Sequence, residues 1–219
     1  MNIKDRNNLR KNTHNNYIYP YLKFRKGVWK EIVRYIQKDT GKIHTLIELG
    51  TGYCNFINQF PAKKKIGYDL NPEMQKFANS DVDLRIEDAT MLYDIADQSA
   101  DIIFASNFME HLDKDELDRL LPRIRDILKK DGRLILLQPN YRLCAEHYFD
   151  DKTHQTIFSD DNITEFLNQY KLSVIKLIPG LLPFSMKSRL PKWPFLVKLY
   201  LMSPIKPMAA QMYVIAERT

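Results

Sequence analysis

The chain has 219 residues, 44% of them hydrophobic, and a formal net charge of +6, which suits one α/β domain over residues 1–219 and is short for two. Two cysteines without a C-x-x-C spacing argue against a disulfide framework and against a zinc finger. The polar start MNIKDRNNLRKN lacks the apolar stretch of a secretory signal, and no apolar run is long enough to cross a bilayer, so we expect a cytoplasmic protein.

The first 40 residues are predicted to form a basic helical extension. Residues 1–30 carry eight Lys or Arg against one acid, Asp5. From Tyr21 to Lys38 the apolar residues recur at roughly helical spacing, which predicts a helix that lies against the domain. A basic end can meet nucleic acid, an anionic membrane or a phosphorylated substrate, but most often it is a solvated face.

Residues 41–180 alternate short apolar runs with helix-like segments, the pattern of βαβ units in a mostly parallel sheet. Seven strands are predicted, the last two lying on either side of the insertion described below: Ile43–Glu48, Lys65–Asp69, Asp83–Ile86, Asp101–Ala105, Arg133–Gln138, Ser173–Ile178 and Gln211–Glu217.

Two helices are predicted in the second half of this core. Between Asp113 and Lys130 the leucines and isoleucines recur at three- and four-residue spacing, and Gly132 follows as a helix stop. Pro122 predicts a kink there or a second short helix that starts at this proline. A further helix from Asn162 to Tyr170 has Ser159 or Asp160 as its expected N-cap.

Residues 181–208 are predicted to be an insertion before the last strand, without a regular element. Five prolines punctuate the stretch, and its part 181–207 carries five Lys or Arg and no acid. The plain interpretation is a lid or a dimer contact. The alternative is peripheral contact with an anionic membrane, because lysines attract phosphate while Trp193, Phe195 and Tyr200 can rest at an interface.

The stretch IHTLIELGTGYCNF, residues 43–56, predicts a strand that runs into a glycine turn and a helix, where a doubly wound sheet holds a nucleotide-like ligand. Gly50 and Gly52 fit the dinucleotide fingerprint, but Asn55 stands where its third glycine is required. Glu48 would repel a pyrophosphate and would attract a cationic ligand.

This turn resembles the first motif of the class I S-adenosylmethionine-dependent methyltransferases, which runs acid, x, Gly, x, Gly, x, Gly. The chain departs from it only at Cys54, a small side chain in place of the third glycine. The resemblance implies a doubly wound, mostly parallel seven-stranded sheet with helices on both faces and an antiparallel last strand. It also implies S-adenosyl-L-methionine as cofactor and S-adenosyl-L-homocysteine as product.

Later motifs extend the resemblance to residues 43–140. Asp69 in IGYDLNP resembles the acid that binds both ribose hydroxyls, and Asp88 with Ala89 in RIEDATML resembles the adenine contact. The implied cofactor residues are Glu48, Gly50, Thr51, Gly52, Cys54, Asp69, Leu70, Asp88, Ala89 and Asn107. Each element alone has a plain alternative: a tight turn, a helix cap or a surface acid.

The acceptor side is predicted from FASNFMEHL and AEHYFDDKTHQTIFS, which follow the fourth and fifth strands. The candidate catalytic residues are His111, His147 and His154, and the candidate substrate contacts are Glu110, Tyr148 and Asp151. These residues could instead cap turns or pack. The spacing between His147 and His154 does not match a helical zinc pair, so no metal site is predicted.

We therefore expect an O- or N-methyltransferase for a small-molecule or saccharide acceptor, which could be carried on a lipid phosphate. The string FDDKTHQTIFS resembles methyltransferases of bacterial surface-saccharide and lipid-modifying pathways. A non-catalytic binding protein is the alternative that Cys54 leaves open. An RNA methyltransferase is a further alternative because of the positive charge. Nucleic acid is nevertheless not the expected partner, because the chain shows no appended RNA-binding motif and has SNFM where base-methylating enzymes carry an N/D-P-P-Y tetrapeptide.

Overall fold

A computed structural model describes residues 22–184 and 191–219, with the side chains of residues 22 and 23 left aside. It contains a seven-stranded sheet flanked by helices. The strands are β1 (Ile43–Leu49), β2 (Ala62–Tyr68), β3 (Val82–Arg85), β4 (Ala100–Ser106), β5 (Leu128–Pro139), β6 (Leu172–Pro183) and β7 (Ala209–Arg218). The helices are α1 (Leu22–Ile36), α2 (Lys114–Ile127), α3 (Tyr141–Tyr148), α4 (Ile163–Gln169) and α5 (Pro194–Met202).

The strands lie in the order β3-β2-β1-β4-β5-β7-β6. The pairs from β3 across to β5 are parallel, whereas β7 runs antiparallel to both of its neighbours, β5 and β6. The order reverses at β1 and β4, as in a doubly wound fold. The predicted fold class is confirmed, including the antiparallel last strand.

The apolar core divides into one layer on each face of the sheet, because neighbouring residues of a strand point to opposite faces. On β1, Leu46 packs into the layer that contains α1 and α5, and Ile47 packs into the layer that contains α2 and α4. The central strands are therefore apolar on both faces, which explains why they read in the sequence as continuous apolar runs.

Helix α1 confirms the expected N-terminal helix. The edge of the Trp29 ring meets the rings of Phe56 and Phe104, with centroids 6.2 and 6.4 Å away. Gly27 allows α1 to approach α5, since a Cβ there would lie 2.8 Å from Cγ of Pro194. The part of the predicted extension before residue 22 lies outside the described residues.

Helix α2 begins with a capping box and runs through its proline. The Asp113 side chain accepts a hydrogen bond from the Glu116 N–H at 2.9 Å, and the Glu116 side chain accepts one from the Asp113 N–H at 2.8 Å. The expected second helix at Pro122 is wrong, since one helix continues to Ile127. Buried residues on both sides of the proline, among them Leu121 and Ile124, pack the helix against the sheet and stabilise its turns.

The boundary between α2 and β5 also differs from the prediction. Strand β5 begins at Leu128, directly after the helix, and Gly132 lies inside the strand instead of stopping the helix. A Cβ at Gly132 would lie 2.8 Å from the Ala100 carbonyl oxygen, where the register of β4 and β5 shifts. The glycine thus permits close backbone contact at a bulge.

The N-cap expected for α4 is wrong as well. Asn162 occupies that position, and its Oδ1 accepts a hydrogen bond from the Ser159 N–H at 2.9 Å. Asp160 instead forms an ion pair with Arg142. The Asp160 carboxylate, which the sequence suggested as an N-cap, is therefore bound by Arg142 of helix α3.

The insertion contains regular structure that the sequence did not predict. Strand β6 extends to Pro183, and Pro194 opens helix α5 at a position where a proline is well tolerated. Residues 185–190 of the insertion lie outside the described residues. Within the described part of the chain, no helix has the length and apolar character that a bilayer crossing requires.

Candidate active site

The carboxyl ends of β1, β2 and β4 surround a cavity of about 270 Å³. Nine of the ten predicted cofactor residues line it: Glu48, Gly50, Thr51, Gly52, Asp69, Leu70, Asp88, Ala89 and Asn107. Open α/β sheets bind ligands at this edge, beside the reversal of strand order. The tenth, Cys54, is fully buried outside the lining, and burial raises the pKa of its thiol to about 12.

The glycine turn adopts a backbone that requires glycine at its first position. Gly50 and Gly52 have φ angles of 67° and 49°, and a Cβ at Gly50 would lie 2.8 Å from Cδ2 of Phe108. The Thr51 N–H donates to the Tyr68 carbonyl at 3.0 Å, which ties the loop to the end of β2. Residues 52–59 then form successive turns instead of the regular helix that the motif predicts.

Glu48 is buried at the base of the cavity, not at the surface of a strand end. Its Oε2 accepts a hydrogen bond from the Ile57 N–H at 3.0 Å, and only 3% of the residue is exposed. Burial raises the pKa of this carboxyl well above its ordinary value. Glu48 therefore fixes the segment that follows the glycine turn.

Asp69 connects the two loops that border the cavity. Its Oδ2 accepts a hydrogen bond from the Gly52 N–H and its Oδ1 one from the Asn71 N–H, both at 2.8 Å. The side chain is thus held in one orientation at the cavity wall. A carboxylate oxygen has two lone pairs and can accept more than one donor, which suits a pair of neighbouring hydroxyls.

The cavity also offers polar atoms that a ligand could satisfy. Two buried side-chain atoms of lining residues, Asn55 Nδ2 and Asn71 Nδ2, have no hydrogen-bond partner among the described residues. Buried polar groups are normally hydrogen-bonded, so such orphaned atoms at a cavity wall fit a polar ligand that engages them. A nucleoside with an amino-acid tail presents donors and acceptors of this kind.

The charge of the lining favours a cationic ligand over a pyrophosphate. Five carboxylates line the cavity, from Glu48, Asp69, Glu87, Asp88 and Asp151. Among the described lining residues the only Lys or Arg is Arg25, whose pKa is lowered by burial. Helix α1 contributes Arg25, a residue that the sequence analysis assigned only to a basic extension.

Asn107 stands at the end of β4 in a left-handed conformation, with a φ of 47°. Its N–H donates to the Leu137 carbonyl at 2.9 Å, and its Oδ1 accepts a hydrogen bond from Gln211 Nε2 at 2.8 Å. The sequence analysis missed Gln211, because nothing local in β7 shows that its side chain reaches Asn107.

Three polar side chains form a connected row at the acceptor side of the cavity. Thr153 Oγ1 donates to Asp151 Oδ1 at 2.6 Å and lies 2.7 Å from His111 Nδ1. Because the threonine proton points to Asp151, the hydroxyl accepts from a protonated Nδ1 of His111. All three residues line the cavity, and Thr153 was not predicted, although the spacing D-x-T is typical of a turn that such a hydroxyl closes.

Glu110 and His154 lie next to this row. Glu110 is fully buried, and no side chain of the described residues donates a hydrogen bond to its carboxylate oxygens. Burial raises its pKa to about 8, although the backbone N–H groups of Glu110 and Phe108 act in the opposite direction. The His154 ring lies 4.8 Å from the His111 ring, centroid to centroid, and burial lowers its pKa. The structure thus brings Glu110, His111, His154 and Asp151 together.

His147 and Tyr148 do not line the cavity. The His147 side chain is 67% exposed and contacts Asp150 at 3.1 Å. Tyr148 is fully buried, and its hydroxyl donates to the Thr156 carbonyl at 2.6 Å. Its ring centroid lies 4.6 Å from that of His154, so Tyr148 packs against this histidine and helps to fix its position.

Comparisons with known proteins agree with this geometry. Residues 47–136 match a protein-family model described as a methyltransferase domain. A comparison with curated proteins finds no match. Three solved structures share the fold, at identities too low to transfer more than the fold.

One is a SAM-dependent methyltransferase from Archaeoglobus fulgidus, with 20% identity, a TM-score of 0.66, and coverage of 92% of this chain and 99% of that chain. Another is a SAM-dependent methyltransferase from Thermotoga maritima, with 18% identity, a TM-score of 0.71, and coverage of 98% and 100%. The third, from Haloferax volcanii, is a complex with the Trm112 methyltransferase activator, with 16% identity, a TM-score of 0.65, and coverage of 87% and 89%.

Proposed function

We propose that this chain, which is a class I S-adenosylmethionine-dependent methyltransferase by its domain and its fold, transfers a methyl group to a hydroxyl oxygen of a small-molecule or saccharide acceptor. One observation carries the choice of a hydroxyl: the row His111, Thr153 and Asp151 lines the same cavity as the glycine turn and Asp69. A neutral amine can attack a sulfonium methyl unaided, whereas a hydroxyl must also lose a proton.

S-adenosylmethionine supplies, when bound, a methyl group on a positively charged sulfur that needs little further activation. Asp69 would accept hydrogen bonds from both ribose hydroxyls, and Asp88 with Ala89 would border the adenine. The glycine turn admits the ligand close to the backbone, since a Cβ at Gly52 would meet open space. The protein's main contribution is alignment and the exclusion of water.

The acceptor hydroxyl would bind beside His111. Thr153 fixes the orientation of the imidazole, and Asp151 holds Thr153. Burial raises the pKa of Asp151, but the hydrogen bonds from Thr153 and the nearby imidazoles outweigh it, so the pKa of this carboxyl lies below its ordinary value. Asp151 therefore stays negative and favours positive charge at the adjoining imidazole as the hydroxyl proton leaves.

A tritiated-methyl assay on cell extracts, fractionated into lipid, saccharide, RNA and protein, tests the proposal. We expect label in the saccharide or lipid fraction as an O-methyl ether. His111→Gln should lower kcat at least tenfold and leave the Kd for S-adenosylmethionine unchanged, whereas His44→Gln, at the opposite end of β1, should behave as wild type. Label confined to RNA or to a nitrogen would contradict the proposal, and tight cofactor binding without any product would favour a non-catalytic protein.

A lipid-linked acceptor at an anionic membrane is a second candidate, supported by α5 and its flanks. Six large apolar side chains are exposed within 16 residues: Trp193, Phe195, Leu199, Met202, Ile205 and Met208. Lys192, Lys198 and Lys206 lie among them, and residues 171–216 contain no acid. Apolar side chains flanked by lysines fit a surface that offers both acyl chains and phosphates.

Liposome flotation with and without anionic lipid tests this candidate. Wild-type protein should float with anionic vesicles at low salt and less so at high salt, and a double variant Trp193→Ala, Phe195→Ala should lose most of this binding. His44→Gln serves as the unaffected control. Absence of flotation with anionic vesicles at low salt would rule out the membrane and leave a lid or a dimer contact as the role of α5. Flotation that does not change with salt would rule out a contribution from the lysines.

A further inference from the structure

We propose that Glu110, His111 and His154 bind one divalent first-row transition-metal ion, and that this ion coordinates the acceptor's hydroxyl oxygen. The second part rests on the proposed function, whereas the metal site stands on the geometry alone. One ligand atom from each of the three side chains can be chosen so that all lie within 4.8 Å of one another. Two imidazoles and one carboxylate are a common ligand set for such ions.

The buried Glu110 carboxylate is the first reason to place a cation here. The residue has no exposed surface, and no cation and no side-chain donor of the described residues pairs with Oε1 or Oε2, so only the nearby backbone N–H groups of Phe108 and Glu110 favour its charge. A charged carboxylate is costly to bury without a partner, and a metal ion is one of the few partners that satisfies both its charge and its lone pairs.

His154 supplies a second unsatisfied atom in the same place. Its Nδ1 is buried and has no hydrogen-bond partner. The ring packs against Tyr148 on one side and His111 on another, with centroids 4.6 and 4.8 Å away, so its position is fixed by packing. An imidazole nitrogen held in this way is preorganised to act as a metal ligand.

His111 is oriented as metal-binding histidines usually are. Its Nδ1 lies 2.7 Å from Thr153 Oγ1, which in turn donates to Asp151. A histidine that donates one ring N–H to an oxygen presents the other nitrogen as an acceptor, and a nearby carboxylate makes that nitrogen more basic. The row from His111 to Asp151 thus has the form of an outer ligand shell.

The proposed ion would keep open positions toward the cavity. His111, Thr153 and Asp151 line the cavity, whereas Glu110 and His154 lie next to His111 outside the cavity lining. Ligand atoms about 3.4 Å apart would suit a metal with bonds of about 2.1 Å, so the most distant pair, up to 4.8 Å apart, needs to close by up to about 1.4 Å on binding. With its second nitrogen on the ion, His111 would not take the acceptor's proton. The ion would lower the pKa of the coordinated hydroxyl, the proton would pass to water, and the oxygen would bond to the methyl carbon as the carbon–sulfur bond breaks and S-adenosylhomocysteine leaves.

Cobalt(II) binding to the metal-stripped full chain tests the site directly, since the visible spectrum of Co²⁺ reports its ligands. After dialysis against EDTA, we expect one Co²⁺ per chain by equilibrium dialysis, with a new visible band and a rise in the melting temperature. Glu110→Gln and His154→Gln should each weaken binding at least tenfold, and His44→Gln should bind as wild type.

The folding of each variant is checked by its melting temperature without metal. Glu110→Gln should then melt close to the wild-type temperature, because an amide of the same size replaces the buried carboxyl group. Wild type that shows neither a band nor a melting shift in 1 mM Co²⁺, or variants that bind like wild type, would overturn the metal site.

Activity measurements distinguish the proposed metal site from the proposed methylation of a hydroxyl. Metal-stripped enzyme should lose at least tenfold of its hydroxyl methylation and regain it with Co²⁺ or Mn²⁺. Full activity after stripping would overturn the role of the ion and leave the proposed function standing. Specific Co²⁺ binding by a chain that methylates only nitrogen would sustain the metal site and overturn the hydroxyl acceptor.

Discussion

Replacement of Asp69 by Asn perturbs the proposed cofactor site with little change in shape. The carboxylate is 7% exposed and holds the backbone N–H groups of Gly52 and Asn71, each at 2.8 Å. An amide of the same size keeps one oxygen acceptor, but its NH₂ group must face one of these two donors. The change therefore removes a charge, one acceptor for the ribose and one contact that fixes the glycine turn.

The expected loss of affinity follows from these contacts. Hydrogen bonds to a charged group contribute about 1.5–3 kcal/mol each, and two ribose hydroxyls would bind the carboxylate. The amide keeps one weaker neutral bond, so the net loss should be about 2–4 kcal/mol, which corresponds to a Kd about 30- to 1,000-fold higher.

Calorimetric titration with S-adenosylmethionine and with S-adenosylhomocysteine measures this loss. Asp97→Asn is the matched control, since that carboxylate is 65% exposed, pairs with Arg123 at 2.7 Å and lies outside the cavity lining. The melting temperature of each variant without ligand shows whether the domain is folded. If Asp69→Asn bound either ligand with the wild-type Kd, the cavity at Asp69 would not be the cofactor site.

Three further substitutions or reagents probe the surrounding structure. Gly50→Ala should lower the free energy of unfolding by about 2–4 kcal/mol in urea, because a positive φ and a clash with Phe108 add together, and an unchanged midpoint would refute the packing described. Asp113→Ala should cost about 1 kcal/mol in the same assay through loss of its capping bond, and no loss would refute the cap. Burial raises the pKa of Cys54 to about 12 and of Cys144 to about 11, so at pH 8 the native chain should react with Ellman's reagent at less than about one-tenth of the denatured rate, and a fast native phase would contradict their burial.

The sheet and the glycine turn could be predicted because their signals are local. Central strands covered on both faces appear as continuous apolar runs, and the turn carries Gly50 and Gly52 at a fixed spacing after β1. Asp69 follows the next strand at the same edge, so chain order alone places it near the turn. Each of the three features is marked by a short stretch of consecutive residues in the sequence.

The parts that could not be predicted depend on contacts between distant residues. Arg25 lines the cavity only because α1 packs on the sheet, and Gln211 contacts the cavity residue Asn107 only because β7 passes beside it. Helix α5 is held by its contact with α1, whereas its prolines suggested an irregular segment. Thr153 acquires its role from His111, which lies 42 positions earlier in the chain.

The sheet order also constrains how a growing polypeptide reaches this structure. β6 precedes β7 in the chain, yet among the described strands it pairs only with β7, which separates it from β5. While β7 is still inside the ribosome, β6 therefore lacks its partner, and the open border of β5 presents unpaired amides to other molecules. Completion of the sheet must await the delivery of β7, so a nascent chain stalled before that point would be the form most prone to associate with its own kind or to need a chaperone.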